Sequence, residues 1–173
     1  MIRTNSVFVV EGISDKALLS RFFDTEIVTT NGKYVSRETK HYIVGLKNHH
    51  DIIIITDPDN PGKEIAKKIL AAVPTAKQIE LSKQKSIRKG KVGLAETDVD
   101  LLMQKILPLL SDKQTGVAPL SLNDLIGYER HDVNFRTKIQ NTYPVGKVNN
   151  KTMIKRLAYL GISKEMVDEL IYG

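Results

Sequence analysis

The sequence predicts an α/β fold, a mostly parallel sheet flanked by helices, followed by a small C-terminal all-helical domain. Three observations predict it. Val7-Phe8-Val9-Val10 and Ile52-Ile53-Ile54-Ile55-Thr56 are apolar runs without polar alternation, the pattern of strands buried on both faces. Stretches with helical spacing of apolar residues flank and separate these runs. Beyond residue 120 the strand signal stops and only helical periodicity continues.

Taken in order, the first strand ends at Glu11-Gly12. Ser14 to Phe23 predicts a helix that places Ala17, Leu18, Leu19 and Phe22 toward one side. A weaker strand over Glu26 to Thr29 is stopped by the turn pair Asn31-Gly32. Ser36 to Asn48 predicts a second helix with Ile43, Val44 and Leu46 inward. After the Ile-rich strand and Asp57-Pro58-Asp59, Asn60 is the expected cap of a helix whose first residue is Pro61, where a missing N–H costs nothing. That helix reaches about Ala72, and Pro74 ends it. Ala76 to Leu81 is expected to be a fourth strand, followed by a basic loop, and Val99 to Leu107 a helix before Pro108.

These elements divide the chain into a first domain over residues 1–110, a linker over 111–120 containing Gly116 and Pro119, and a helical domain over 121–173. The expected helices of the last are Leu122 to Ile126, Asn134 to Asn141, Lys151 to Leu160 and Lys164 to Ile171, with Ser163 capping the final one. A helical unit of about 50 residues is small for an independent fold and is expected to lean on the first domain.

Composition narrows the chemistry. The 173 residues contain no Cys, which excludes disulfides, thiolate zinc sites, iron–sulfur clusters and a cysteine nucleophile. Trp is absent, and 6 Tyr and 4 Phe leave few platforms for base stacking. Hydrophobic residues at 41% with 27% charged exclude a disordered chain. No run approaches the roughly 18 apolar residues of a membrane span, and the opening residues lack a signal-peptide core, so a soluble cytoplasmic protein is expected.

The net charge of +6 is concentrated in one place. Residues 63–91 carry nine basic and two acidic side chains, more than the whole excess. Within them Lys83, Lys85, Arg88, Lys89 and Lys91 form a stretch with no acid. Such a run is either a solvated face or a polyanion-binding segment.

Opposite in sign is an acidic constellation. Glu11 follows the first strand directly, and Asp57 and Asp59 follow the Ile-rich one. In open parallel sheets ligands gather outside the carboxyl ends of the strands, so the three carboxylates are expected at one edge. Clustered carboxylates repel unless cations occupy the site, and hard oxygen donors without His or Cys suit magnesium or manganese. On composition alone Asp-Pro-Asp-Asn-Pro-Gly is equally a turn. Asp15 is expected to favour the positive end of its own helix. His49-His50 is expected in a solvated loop, and neither His41 nor His131 acquires a role.

Val9-Val10-Glu11-Gly12 with Asp15, and Ile55-Thr56-Asp57-Pro58-Asp59 with Pro61-Gly62, resemble the Toprim domain of topoisomerases, bacterial primases and related nucleases. More closely, the chain resembles the ribonuclease M five family of bacterial 5S ribosomal RNA maturases. Thr30-Asn31-Gly32, the Arg88-Lys89-Gly90-Lys91-Val92-Gly93 segment and the stretch from Asn149-Asn150-Lys151 to Arg156-Leu157 carry that likeness. The resemblance implies a Toprim-like fold and an endoribonuclease that cuts both strands of a helical stem in the 5S precursor, held by a large-subunit ribosomal protein. It implies acid–base and metal roles for Glu11 and magnesium binding by Asp57 and Asp59. Lys85, Arg88, Lys89 and Lys91 would grip phosphates, and the helical domain, with Lys151, Lys155 and Arg156, would hold the ribonucleoprotein. One departure stands out: Gly93-Leu94-Ala95-Glu96 has alanine where the family commonly carries glutamate.

Other readings remain. Topoisomerase chemistry needs a Tyr nucleophile in a large partner domain, and primase needs zinc ligands and further domains. A phosphatase with an Asp-x-Asp nucleophile leaves Glu11 unexplained. A non-catalytic RNA-binding or assembly factor would use the basic segment and treat the acids as a turn.

Overall fold

The computed structural model describes residues 1–30, 32, 34–80, 87–88, 91–92, 99–111 and 117–173. The chain divides into two compact units, Met1–Gln114 and Thr115–Gly173.

The first unit is built on four parallel strands: β2 (Ser6–Val10), β4 (Ile27–Thr29), β5 (Asp51–Thr56) and β6 (Lys77–Glu80), in the spatial order β4-β2-β5-β6. Two further strands, β1 (Ile2–Arg3) and β3 (Phe23–Asp24), make a separate short parallel pair. Helices α1 (Ile13–Leu19), α2 (Arg37–Leu46) and α3 (Asn60–Ala72) form the crossovers. The chain moves one way along the sheet from β2 to β4 and the other way from β4 through β5 to β6. Right-handed crossovers therefore set α1 on one face and α2 and α3 on the other.

Alternation along the strands supplies both faces with apolar side chains, which is why the runs show no polar alternation. Phe8, Val10, Ile53, Ile55 and Ile79 share one core with Leu19 of α1, Phe23, Ile27, and Leu102 and Ile106 of α4 (Val99–Ile106). Val7, Val9, Ile52 and Ile54 supply the opposite face and are equally buried, as are Tyr42, Ile43 and Leu46 of α2 and Ile65, Ala66 and Ile69 of α3. Each such Val, Leu or Ile is worth about 1.5–3 kcal/mol of burial, so these strands are the least replaceable part of the chain.

Several boundaries differ from expectation, each for a local reason. The first helix stops at Leu19 rather than Phe23. Its last turn tightens through bonds from Arg21 N–H to Leu18 O and from Phe22 N–H to Leu19 O. Phe23 then stacks against Phe8 at a ring distance of 4.9 Å, so core packing outweighs the helical pattern, and Ala17 stays exposed. The cap of α3 is Asp59, not Asn60: its Oδ1 accepts from Gly62 N–H at 2.8 Å, Asn60 is already helical, and Pro61 follows inside the first turn. In the expected basic loop the described backbone is an antiparallel hairpin, β7 (Ile87–Arg88) with β8 (Lys91–Val92). Pro108 lies in a 3₁₀ turn, Leu107–Leu109, that continues from α4.

His50 is buried rather than solvated, its Nδ1 lying 3.0 Å from Asn5 O, while Asn5 Nδ2 donates to His49 O at 2.8 Å. The same opening segment also holds residue 111. Asn5 N–H and the Thr4 hydroxyl both donate to Ser111 O at 2.9 Å, and Ser111 N–H donates to Ser6 Oγ at 2.9 Å.

The second unit is helical: α5 (Leu122–His131), α6 (Phe135–Thr142), α7 (Asn150–Tyr159) and α8 (Lys164–Tyr172). Leu120, Leu125, Tyr128, Phe135, Ile139, Val145, Met153, Leu157, Leu160, Val167 and Ile171 are its buried hydrophobic side chains. Ser121, Asn149 and Ser163 cap three of the helices through their side-chain oxygens. α5 runs five residues beyond Ile126, through Gly127, because burial of Tyr128 outweighs the propensity cost of one glycine. The Tyr128 hydroxyl donates to Asp168 Oδ1 at 2.7 Å, and Asp168 also pairs with Lys164 at 2.6 Å.

Candidate active site

The acidic edge follows from strand register. β2 and β5 are neighbours, with Val9 opposite Ile54, so the strands end within one residue of each other and bring Glu11 and Asp57 to the same edge. The half-buried Glu11 side chain crosses that short gap: its Oε1 accepts from Asp57 N–H at 2.6 Å. A carboxylate from one strand end is thereby locked to the backbone at the next. Asp59, two residues on, is exposed and uses one oxygen to cap α3, which sets the helix N-terminus against the same edge.

Gly62 makes this approach possible. A Cβ built there would lie 2.2 Å from Asp57 O and 2.7 Å from Glu11 Oε1, well inside contact distance. No larger residue fits between the helix and the strand end, so a side chain at position 62 would push Glu11 and Asp57 apart. Asp15 supports Glu11 from the other side. It is buried, and its Oδ2 accepts from Gly12 N–H at 2.9 Å, fixing the turn that follows Glu11. Thr30, buried at the end of β4, directs its hydroxyl to Glu11 O at 3.5 Å and to Gly32 O at 3.4 Å. Gly32 has φ of 112°, a conformation that favours glycine, while Asn31 of the expected turn pair lies outside the described residues.

The electrostatics reflect the crowding. Burial is the main cause that pushes the Glu11 carboxyl up from 4.5 to about 7. The bond from Asp57 N–H works against it, and the negative charges of Asp57, Asp59 and Asp15 add to it. Near neutral pH this carboxyl is therefore poised to hold or release a proton.

As for metal ligation, the donors at this edge are carboxylate oxygens, which suit a hard divalent cation. One oxygen each of Glu11 and Asp59 is engaged with backbone N–H, and among the described residues no three His, Asp or Glu side chains are gathered tightly enough to hold an ion as they stand.

The expected basic residues are placed differently from one another. Arg88 and Lys91 face each other in the hairpin register, while Lys85 and Lys89, and Glu96 with its neighbouring Ala95, lie outside the described residues. Lys151 and Lys155 are exposed on α7, with Lys155 Nζ 5.5 Å from the centre of the Tyr159 ring. Arg156 turns partly inward and donates from Nη1 to Val145 O at 2.6 Å. His131 packs edge-on against Tyr172 at 4.7 Å.

Sequence reading left the structural parts of Gly62 and Thr30 at this edge unassigned, whereas Asp15 stands in the first turn of α1, at the positive helix end where it was expected. Gly62 carried the clearest signal, a glycine inside the first turn of a helix that already begins with proline. No helix among the described residues is long and apolar enough to cross a membrane.

Comparison with known proteins agrees with this architecture. Residues 6–88 match the Toprim domain family. A protein named Ribonuclease M5 from Streptococcus pneumoniae is 28% identical over 177 residues, covering 96% of this chain and 95% of its own. Another of that name from Listeria monocytogenes is 30% identical over 172 residues, covering 92% of this chain and 87% of its own. A solved structure of a small TOPRIM domain protein from Bacillus stearothermophilus matches with a TM-score of 0.52 at 22% identity, covering 65% of this chain and 96% of that one, a likeness of fold.

Proposed function

The chain belongs to the ribonuclease M5 family, and on that premise we infer that it is a metal-dependent endoribonuclease of ribosomal RNA processing. The finer reading is a cytoplasmic maturase that uses magnesium, with manganese as a substitute, to cut both strands of a helical stem in the 5S ribosomal RNA precursor. The observation that carries it is the locked pair at the sheet edge, Glu11 Oε1 on Asp57 N–H at 2.6 Å, with Asp59 at the mouth of α3.

Glu11, Asp57 and Asp59 would hold the cation. When bound, a divalent ion supplies Lewis acidity toward the phosphodiester oxygens and lowers the proton affinity of water. The chain's own groups do the rest. Glu11, half-protonated near neutral pH, holds and moves a proton at the carboxyl oxygen not bonded to Asp57 N–H. Asp15 keeps Gly12, and so the Glu11 backbone, from shifting during that transfer. Gly62 lets the start of α3 pack closely against Asp57 and Glu11 and so holds them together. Lys85, Arg88, Lys89 and Lys91 would neutralise phosphates beside the cut, and Lys151, Lys155 and Arg156 would hold the RNA bound to its ribosomal protein. A-form stems are recognised through shape and backbone, so the lack of Trp is no obstacle.

A second reading has one observation behind it. Glu11 and Asp59 each bond a backbone N–H, as purely structural acids in a non-catalytic RNA-binding factor would. One experiment separates the two: incubation of 5S precursor RNA, with and without its ribosomal protein, in magnesium and then in chelator. Cleavage in magnesium that disappears in chelator and in Glu11→Gln and Asp57→Asn supports the nuclease. RNA left intact under every condition, or cut at the normal rate by both variants, removes it.

A further inference from the structure

An acidic site that must receive a polyanion needs cations beside it to offset repulsion by its own carboxylates. The basic segment reads from the sequence as one set. α3 carries another, and its placement is visible from the helix itself. Gly62, Ile65, Ala66 and Ile69 face the sheet. The outward face presents Lys63, Glu64, Lys67 and Lys68, all exposed, and none of the three lysines forms an ion pair among the described residues. The helix starts at the Asp59 cap, so a rise of about 1.5 Å per residue sets Lys63 and Lys67 about 6 and 12 Å along its axis from that carboxylate.

Tyr34 adds a different surface beside them. Its ring is 74% exposed in the segment between β4 and α2. Lys68 Nζ lies 5.2 Å from the ring centre, which ties this segment to α3, and Thr30 ties its other end to Glu11. An exposed aromatic face beside unpaired lysines suits a sugar or base carried along with its phosphates. A bilayer would ask for large aliphatic side chains among the lysines, and neither α2 nor α3 exposes one among the described residues.

We propose that the outward face of α3, with Tyr34, is a second RNA contact that holds the phosphate backbone of the stem as it leads away from the scissile bond. Naming the polyanion as RNA rests on the endoribonuclease reading. Lysines act there as point charges that position the strand without reading sequence.

The test is the salt dependence of binding to 5S precursor RNA in chelator, so that binding is read apart from cleavage. The Lys63→Gln/Lys67→Gln/Lys68→Gln triple variant changes only exposed side chains, and its circular dichroism melt serves as the folding check. Each phosphate contact adds about 0.7–0.9 to the slope of log affinity against log salt, so the triple variant is expected to lower that slope by about two and to bind about tenfold more weakly at 0.15 M salt. Lys47→Gln, at the far end of α2, is expected to keep the wild-type slope. Tyr34→Ala is expected to weaken binding about fivefold without changing the slope, with Tyr34→Phe restoring it. An unchanged slope in the folded triple variant, or an equal loss in Lys47→Gln, overturns the proposal whether or not the wild type cuts RNA. A wild type that never cuts in magnesium, with a triple variant that still loses slope, removes the nuclease and leaves this contact standing.

Discussion

Replacing Gly62 with alanine tests the edge geometry directly. In an open helix position the change is favourable by up to about 1 kcal/mol, because alanine is the better helix former. At position 62 the added methyl would sit 2.2 Å from Asp57 O, which is backbone and cannot swing aside. Restoring ordinary contact requires about 1 Å of movement between the start of α3 and the end of β5, and overpacking of this kind costs about 1–3 kcal/mol. The net expectation is a loss of about 1 kcal/mol, or about 2–4 °C in Tm for a chain of this size. The same movement presses on Glu11 Oε1, 2.7 Å from the new carbon, so cleavage should fall about a hundredfold, as catalytic groups displaced by 1 Å commonly show. Gly127→Ala is the internal comparison: its Cβ meets only the Tyr172 hydroxyl at 3.7 Å, so the same substitution in α5 should stabilise. Urea melts followed by circular dichroism, with cleavage of 5S precursor measured alongside, read both. A Gly62→Ala protein with the wild-type midpoint and wild-type cleavage would refute the claim that α3 abuts Glu11 and Asp57.

Three further outcomes are expected. Asp59→Asn keeps a side chain that caps as well as aspartate, so its melting midpoint should match the wild type while cleavage is lost; Asp59→Ala should lose about 1 kcal/mol as well. The raised Glu11 value gives a pH signature in metal-free protein. Its contribution to stability is full below about 4.5 and is lost as pH rises through about 7, so the wild-type urea midpoint should fall across that window relative to Glu11→Gln. Cation binding should correspondingly release more protons near pH 6 than near pH 8, as calorimetry in buffers of different ionisation enthalpy would show. In the helical unit, burial and the bond to Asp168 both hold the Tyr128 hydroxyl in its protonated form. Tyr128→Phe should cost about 1 kcal/mol, since Asp168 keeps its pairing with Lys164, and a midpoint unchanged within error would show that the hydroxyl bond is energetically idle.

How much of this was legible in the sequence depended on where the determining interactions lie. The Ile-rich strand was readable because a double-sided core demands β-branched residues throughout, and this demand is local. The juxtaposition of Glu11 and Asp57 was readable through topology, since two parallel neighbours must end at one edge. The cap of α3 was misassigned by one residue because Asp59 and Asn60 are both good caps, and only the direction of the Asp59 side chain toward Gly62 decides between them. The end of α1 was placed four residues late because the pull of Phe23 toward Phe8 is a tertiary contact without a periodic trace. Likewise α5 was cut short at Gly127, where local propensity signals a break and burial of Tyr128 overrides it. The burial of His50 depended on Asn5, 45 residues away, and no local pattern announces such a partner.

The bonds joining Thr4, Asn5 and Ser6 to Ser111 bring the start and finish of the first unit to a single spot. That spot is the entry end of β2, across the length of the strand from Glu11. A module whose two chain ends meet on the side away from its acidic edge is portable. It can be spliced into another polypeptide, or have its ends joined and be reopened elsewhere, without threading any connection past the carboxylates.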